Sequence, residues 1–157
     1  MNVTVLGCGN IGGTLANKWA AAGHTVVVGV RHPDDAATRA RVAGFGPNAS
    51  LTGIAEAIPH GQAVLFAIPG SAVEATVAEH AAALAGKIVI DATNKVGQQP
   101  AHNLAAFTRH APTALWYRAF NHLGWETFAD PRYGDTVADV FFCGAPGEPR
   151  QVVEGLI

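Results

Sequence analysis

Cysteine is nearly absent from this sequence. Only Cys8 and Cys143 occur, far apart and in no C-x-x-C pattern, so neither a disulfide framework nor a zinc site is expected. The basic residues form no run or stripe. Ten Lys and Arg are interleaved with twelve Asp and Glu for a formal net charge of -2, which leaves no electrostatic footprint for a nucleic-acid backbone. The seven histidines show no spacing typical of a metal site, and no metal is expected. Long apolar runs are lacking too. The chain opens directly into MNVTVLG with no basic region ahead of it, and its apolar stretches are too short to span a bilayer. Together these absences predict a protein of the reducing cytoplasm, neither exported nor embedded in a membrane.

What is present is apolar and ordered. Hydrophobic residues make up 49% of the 157 and charged residues 14%, a balance suited to one compact domain over residues 1–157. The β-branched run Asn2–Leu6 reads as a strand buried on both faces and ends at Gly7. Ile11, Leu15 and Trp19 then recur at helical spacing from Asn10 to Ala22, and Gly23 suits the helix end. A second strand starts at Thr25, closing a βαβ unit of about 30 residues. Pro33, Asp34 and Asp35 suit the first turn of a helix ending near Gly44, and a third strand is expected near Ser50.

Farther on, Ala63–Ile68 reads as a strand, and Ser71 and Glu74 have the spacing of a capping box for a helix buried through Val73, Val77, Ala81 and Leu84. Strands at Lys87–Ala92, Ala114–Phe120 and Val140–Cys143, a helix at Leu104–His110 and a last helix from Pro146 complete the pattern. This alternation predicts an α/β fold, a doubly wound and mostly parallel Rossmann sheet that binds ligand at the carboxyl ends of its strands.

Gly7-Cys8-Gly9-Asn10-Ile11-Gly12 is G-x-G-x-x-G placed between a strand and a helix, where the dinucleotide fingerprint needs it. Gly7 permits the tight turn, Gly9 lets backbone approach a pyrophosphate, and Gly12 lets the helix pack close to the sheet. An NAD site usually carries an acidic residue at the end of the second strand. Here that stretch reads Val30-Arg31-His32, and the guanidinium of Arg31 suits a 2'-phosphate, so the preferred dinucleotide is NADP(H). Asp34 and Asp35 would repel a phosphate unless turned outward, and a helix-surface pair between Asp35 and Arg39 is expected. Arg39 and Arg41 read as solvated, with a phosphate contact by one of them as the other reading.

Ile68-Pro69-Gly70-Ser71 and Asp91-Ala92-Thr93-Asn94 lie at carboxyl ends of strands, which face ligand in this fold. Thr93 and Asn94 can hydrogen-bond ribose or carboxamide without charge; both segments also read as ordinary strand-to-helix turns. His122 could face a nicotinamide or be a surface imidazole. Cys8 reads as a tolerated small residue, since no base is identifiable beside it. No catalytic residue is assigned.

With GCGNIG, VRH, AIPGSAVEATV, LAGKIVIDATN, AFNHLGWETFADP and FFCGAPGEPRQVVEGLI in this order, the chain resembles the coenzyme F420-dependent NADP oxidoreductase family nearly end to end. The resemblance implies hydride transfer between NADP(H) and a planar carrier, deazaflavin F420 or a flavin, in a cytoplasmic homodimer. It places Gly7, Gly9, Asn10, Ile11 and Gly12 on the pyrophosphate, Arg31 and His32 on the 2'-phosphate, and Ile68, Pro69 and Asn94 on the ribose and nicotinamide side. Family members usually continue past the last helix with a segment that shapes the carrier pocket and dimer contact, and His122 stands where a small hydroxyl residue is common. A non-catalytic NADP(H)-binding module or sensor is therefore the alternative. A small-substrate reductase of the imine or hydroxy-acid kind is a third reading, for which a large helical second domain is expected.

Overall fold

The computed structural model describes residues 1–157. In chain order the elements are β1 (Asn2–Leu6), α1 (Asn10–Ala21), β2 (Thr25–Val30), α2 (Ala36–Ala43), β3 (Ala49–Gly53), α3 (Ile54–Ala57), β4 (Ala63–Phe66), α4 (Val73–Glu79), α5 (Ala81–Leu84) and β5 (Ile88–Asp91). There follow α6 (Leu104–His110), β6 (Leu115–Arg118), α7 (Trp125–Ala129), β7 (Arg132–Tyr133), β8 (Thr136–Val137), β9 (Cys143–Gly144) and α8 (Glu148–Glu154). No helix is long and apolar enough to cross a membrane.

Seven strands form one sheet in the order β3-β2-β1-β4-β5-β6-β9, parallel throughout except for the antiparallel β9. This is the doubly wound Rossmann arrangement. The winding reverses between β1 and β4, so the loops leaving these two strands diverge to opposite faces and open a crevice at their carboxyl ends.

The period of two along the strands divides the apolar side chains between two layers. Val3, Val5, Val26 and Val28 face a core completed by Leu15 and Trp19 of α1, Phe128 of α7 and Val153 of α8. Leu6, Val27, Val64 and Phe66 face a second core with Ile58, Val77, Leu84 and Phe107. Thr4 points into that second layer, where its hydroxyl donates to the Ala57 carbonyl at 2.7 Å. Burying both faces explains why these strands are continuous apolar runs rather than alternating ones.

Several boundaries differ from the sequence pattern. Helix α2 starts at Ala36, with Asp35 as its N-cap, because the Asp35 carboxylate accepts from the Thr38 amide at 2.8 Å and hydroxyl at 2.7 Å. Pro33 and Asp34 precede the helix. The capping box at Ser71 and Glu74 does not form: Gly70–Ala72 is a 3-10 turn, Ala72 is the N-cap of α4, and Glu74 turns outward to Arg109 at 2.9 Å. The final strand is Cys143–Gly144 rather than Val140–Cys143, for a reason that lies in β6: the residue at position 144 must sit on the Tyr117 ring, where a Cβ would collide with it. Helix α7 and the β7–β8 hairpin, whose turn holds Gly134 at φ 62°, were not expected from the sequence.

Candidate functional site

Strand β1 ends in a turn that only glycine fits. Gly7 has φ 98°, and a Cβ on it would press to 2.5 Å from the Ala67 carbonyl beyond β4. A Cβ on Gly12 would collide with the carbonyl of Gly7, so the first turn of α1 lies directly against the glycine turn. Gly9 is the N-cap of α1, with no side-chain cap bond, and no acidic residue occupies the first turn. The amides of that turn and the positive end of the helix dipole therefore have no side-chain partner from the protein.

A cavity of about 480 Å³ opens at this point, on the crevice where the winding reverses. Gly7, Cys8 and Gly9 line one side, Val30, Arg31 and His32 at the end of β2 another, and Ala67, Ile68 and Pro69 a third. Six of the expected residues, Gly7, Gly9, Arg31, His32, Ile68 and Pro69, thus surround one space. Asn10, Ile11 and Gly12 adjoin it as the opening turn of α1 without lining it.

The acidic residues near Arg31 are otherwise engaged. Asp35 borders the cavity, but its carboxylate caps α2, and the Thr38 hydroxyl and amide hold it below the usual carboxylate range. Asp34 pairs with Arg39 at 3.7 Å across exposed surface, so the expected pair of Asp35 with Arg39 is not made; capping consumes the Asp35 carboxylate first. Arg41 is not free in solvent. It donates to the Cys8 carbonyl at 3.0 Å, and its guanidinium covers Gly13, where a Cβ would approach to 2.5 Å. Burial pushes the Cys8 thiol up, against the opposing pull of Arg41, which suits a neutral wall residue better than a nucleophile.

The second group of expected residues divides. Gly70 packs on the peptide after Asn94, where a Cβ would meet the Asn94 carbonyl, so the turns following β4 and β5 touch. Asn94 is exposed at this junction. Thr93 is not available to a ligand: it is 4% exposed, its hydroxyl donates to Asp91 at 2.6 Å, and it accepts from Asn103 at 2.9 Å. The buried Asp91 carboxylate takes the Thr93 amide and hydroxyl as partners, and this pulls the side chain inward.

Arg118 was missed by sequence reasoning. Its guanidinium donates to Asp91 at 3.0 Å, to the Thr93 carbonyl at 2.9 Å and to the Asn94 side chain at 2.6 Å. The available signal was a carboxylate ending one apolar parallel strand and an arginine ending the next, and the two are register partners. Beyond it, Phe120 adopts φ 63°, an uncommon conformation for an aromatic residue, while its ring packs edge-on to Trp19 and Phe128. The turn after Phe120 carries Asn121 and His122 into a second depression of about 360 Å³, shared with Arg118, Phe141, Phe142 and Cys143. The His122 ring accepts the Phe141 amide at 3.2 Å and lies beside the Phe141 ring.

Comparison with known proteins agrees with this architecture. The family model described as NADP oxidoreductase, coenzyme F420-dependent, matches residues 2–95. A provisionally assigned F420-dependent NADP-reductase from Arthrobacter sp. FB24 is 26% identical, with a TM-score of 0.84 over 99% of this chain and 79% of that one. A reductive aminase from Aspergillus terreus, solved with NADPH and ethyl levulinate, is 25% identical at a TM-score of 0.72, over 99% of this chain and 50% of its own. Among curated proteins, metalloreductase STEAP3 of Rattus norvegicus is 27% identical over 156 residues, 96% of this chain. The chain spans 30% of the length of that relative.

Proposed function

Since this chain belongs to the family of coenzyme F420-dependent NADP oxidoreductases, we propose that it binds NADP(H) across the carboxyl edge of the sheet and passes hydride to or from a planar carrier. The carrier class is a deazaflavin of the F420 type or a flavin. The observation that carries the reading is the single cavity bounded by the uncapped start of α1 and by Arg31. A dinucleotide with an extra phosphate needs both features at once: amides and dipole for the pyrophosphate, a fixed cation for the 2'-phosphate.

In this reading the amides after Gly9, at Asn10 and Ile11, face the pyrophosphate, and Gly7 and Gly12 keep turn and helix close enough to present them. Arg31 and His32 hold the 2'-phosphate. Ile68 and Pro69 offer apolar backbone along the ribose, and Asn94 offers a neutral donor to the nicotinamide half. When bound, the nicotinamide supplies hydride donation or acceptance, chemistry that needs orientation more than acid-base groups. The depression lined by His122, Phe141 and Phe142 lies beside the carboxyl end of β6 and offers aromatic surface there. The resemblance further points to a cytoplasmic homodimer. Sedimentation velocity at high concentration checks the association, and a monomer there would count against it.

The test of the function is titration of purified protein with NADPH and, separately, a deazaflavin, FMN and FAD, following nicotinamide absorbance. Oxidation of NADPH by one carrier is expected. Tight NADPH binding with no turnover of any carrier would favour the binding-module alternative, and absence of NADPH binding would sink both.

A further inference from the structure

The guanidinium of Arg118 uses its donors on four partners that all belong to the carboxyl ends of β5 and β6. Nη1 reaches the Asp91 carboxylate and the Thr93 carbonyl, and Nη2 reaches the Asn94 side-chain oxygen. With the Asn121 amide oriented for bonding, its oxygen accepts from Nε at 3.3 Å and Nη2 at 3.1 Å. The side chain is 12% exposed and the Asp91 carboxylate is fully buried, so the charges neutralise each other in place. An ion pair in such surroundings is weak as a source of stability but strict about geometry, because a planar fork fixes the direction of every acceptor on it.

The acceptor that matters is Asn94. Its oxygen is held by Arg118, and its nitrogen donates one hydrogen to the Asn121 carbonyl at 2.7 Å. An amide nitrogen has two hydrogens, so one is left on an exposed side chain that Gly70 brings against the turn after Pro69. We propose that Arg118 is a positioning residue for the nicotinamide half of the dinucleotide. It locks the Asn94 amide with its oxygen inward and its free N–H outward, as a donor to a neutral oxygen of the ribose or carboxamide. Without the guanidinium only the Asn121 carbonyl still holds the amide, which can then turn its second N–H away from the ligand. This inference rests on the NADP(H) reading and adds the residue that sets up its distal half.

The experiment compares NADPH with 2',5'-ADP, which carries the adenosine and 2'-phosphate but no nicotinamide. Arg118→Lys keeps a cation opposite Asp91 while losing the fork to Asn94 and Asn121. It is expected to weaken NADPH about 2- to 12-fold, the value of one hydrogen bond, with 2',5'-ADP affinity unchanged. Asn94→Ala should do the same, and the Arg118→Lys/Asn94→Ala double variant should lose no more than the worse single one, because both act on one donor. Emission of bound NADPH should also report a looser nicotinamide in each variant. Unchanged NADPH affinity in Arg118→Lys, equal losses for both ligands, or additive losses in the double variant would each overturn the proposal. Failure of the unmodified protein to bind 2',5'-ADP would instead strike the NADP(H) reading itself and bring this inference down with it. Thermal melting of each variant separates loss of fold from loss of ligand.

Discussion

Single side chains decide the chemistry at the cavity, and two of them make direct tests. Arg31 borders the cavity at the end of β2, and the carboxylate that lines the same cavity, Asp35, is committed to Thr38. A charge-assisted contact contributes about 1.5 to 3 kcal/mol, so Arg31→Ala should weaken NADPH roughly 10- to 150-fold and leave NADH nearly untouched. Isothermal titration with both nucleotides checks this, and equal losses would remove Arg31 from the 2'-phosphate. Gly12→Val acts by space rather than charge. Its Cβ would collide with the Gly7 carbonyl, forcing α1 away from the glycine turn and its amides away from the phosphates. Calorimetry on a folded Gly12→Val protein should find no NADPH binding, and unchanged affinity would place the pyrophosphate elsewhere.

At the scale of elements, what was legible depended on whether the deciding contacts are local. The glycine turn, with β1 before it and α1 after it, was readable because strand, turn and helix are consecutive and each glycine has a steric reason within the motif. Asp91 and Arg118 are 27 residues apart and meet only through the pairing of β5 with β6, so neither the ion pair nor the inward turn of Thr93 could be seen from spacing. The same holds for β9. Val140, Phe141 and Phe142 have a strand's apolar content, yet pairing with β6 begins only at Cys143, beside the Gly144 that closes on the Tyr117 ring. That junction is sealed by the Tyr117 hydroxyl, which donates to the Ala145 carbonyl at 2.9 Å. Tyr117→Phe should therefore destabilise the protein by about 0.5 to 1.5 kcal/mol in urea unfolding. It should also change the alkaline limb. Burial pushes the Tyr117 hydroxyl above its ordinary pKa of 10.0, so the unfolded chain ionises first, and the stabilising effect is complete below about pH 10 and lost as pH rises through the raised value. A Tyr117→Phe protein whose stability fell just as steeply between about pH 9 and 11 would show that this phenol contributes nothing to the slope.

For the whole molecule, the proposed ligand crosses the sheet at its reversal, with one half on the loops after β1 and β2 and the other on those after β4, β5 and β6. These loops arise from both windings of the fold, whose strands share two cores, one on each face of the sheet: Val3, Val28, Leu65 and Ile90 in one, Leu6, Val27, Phe66 and Val89 in the other. A molecule bound to both windings ties them together, and only the folded chain offers it this surface. Mass action then fixes the gain. At 100 times its dissociation constant a ligand that binds only the native state adds about 2.7 kcal/mol, which for a chain of this length is a rise of roughly 5 to 11 °C in Tm. NADPH should produce that rise in a thermal scan, with NADH at the same concentration giving a smaller one because it lacks the group for Arg31. 2',5'-ADP at an equal multiple of its own dissociation constant should raise Tm as much as NADPH does, since linkage depends on saturation and not on how many loops are touched. In hydrogen exchange the two ligands should part: 2',5'-ADP should slow amides around Gly9 and Arg31 alone, whereas NADPH should also slow those of Asn94 and Asn121. Protection confined to the first group with both ligands would mean that the nicotinamide half does not reach β5 and β6, and the planar carrier would then have no hydride donor at that end of the sheet.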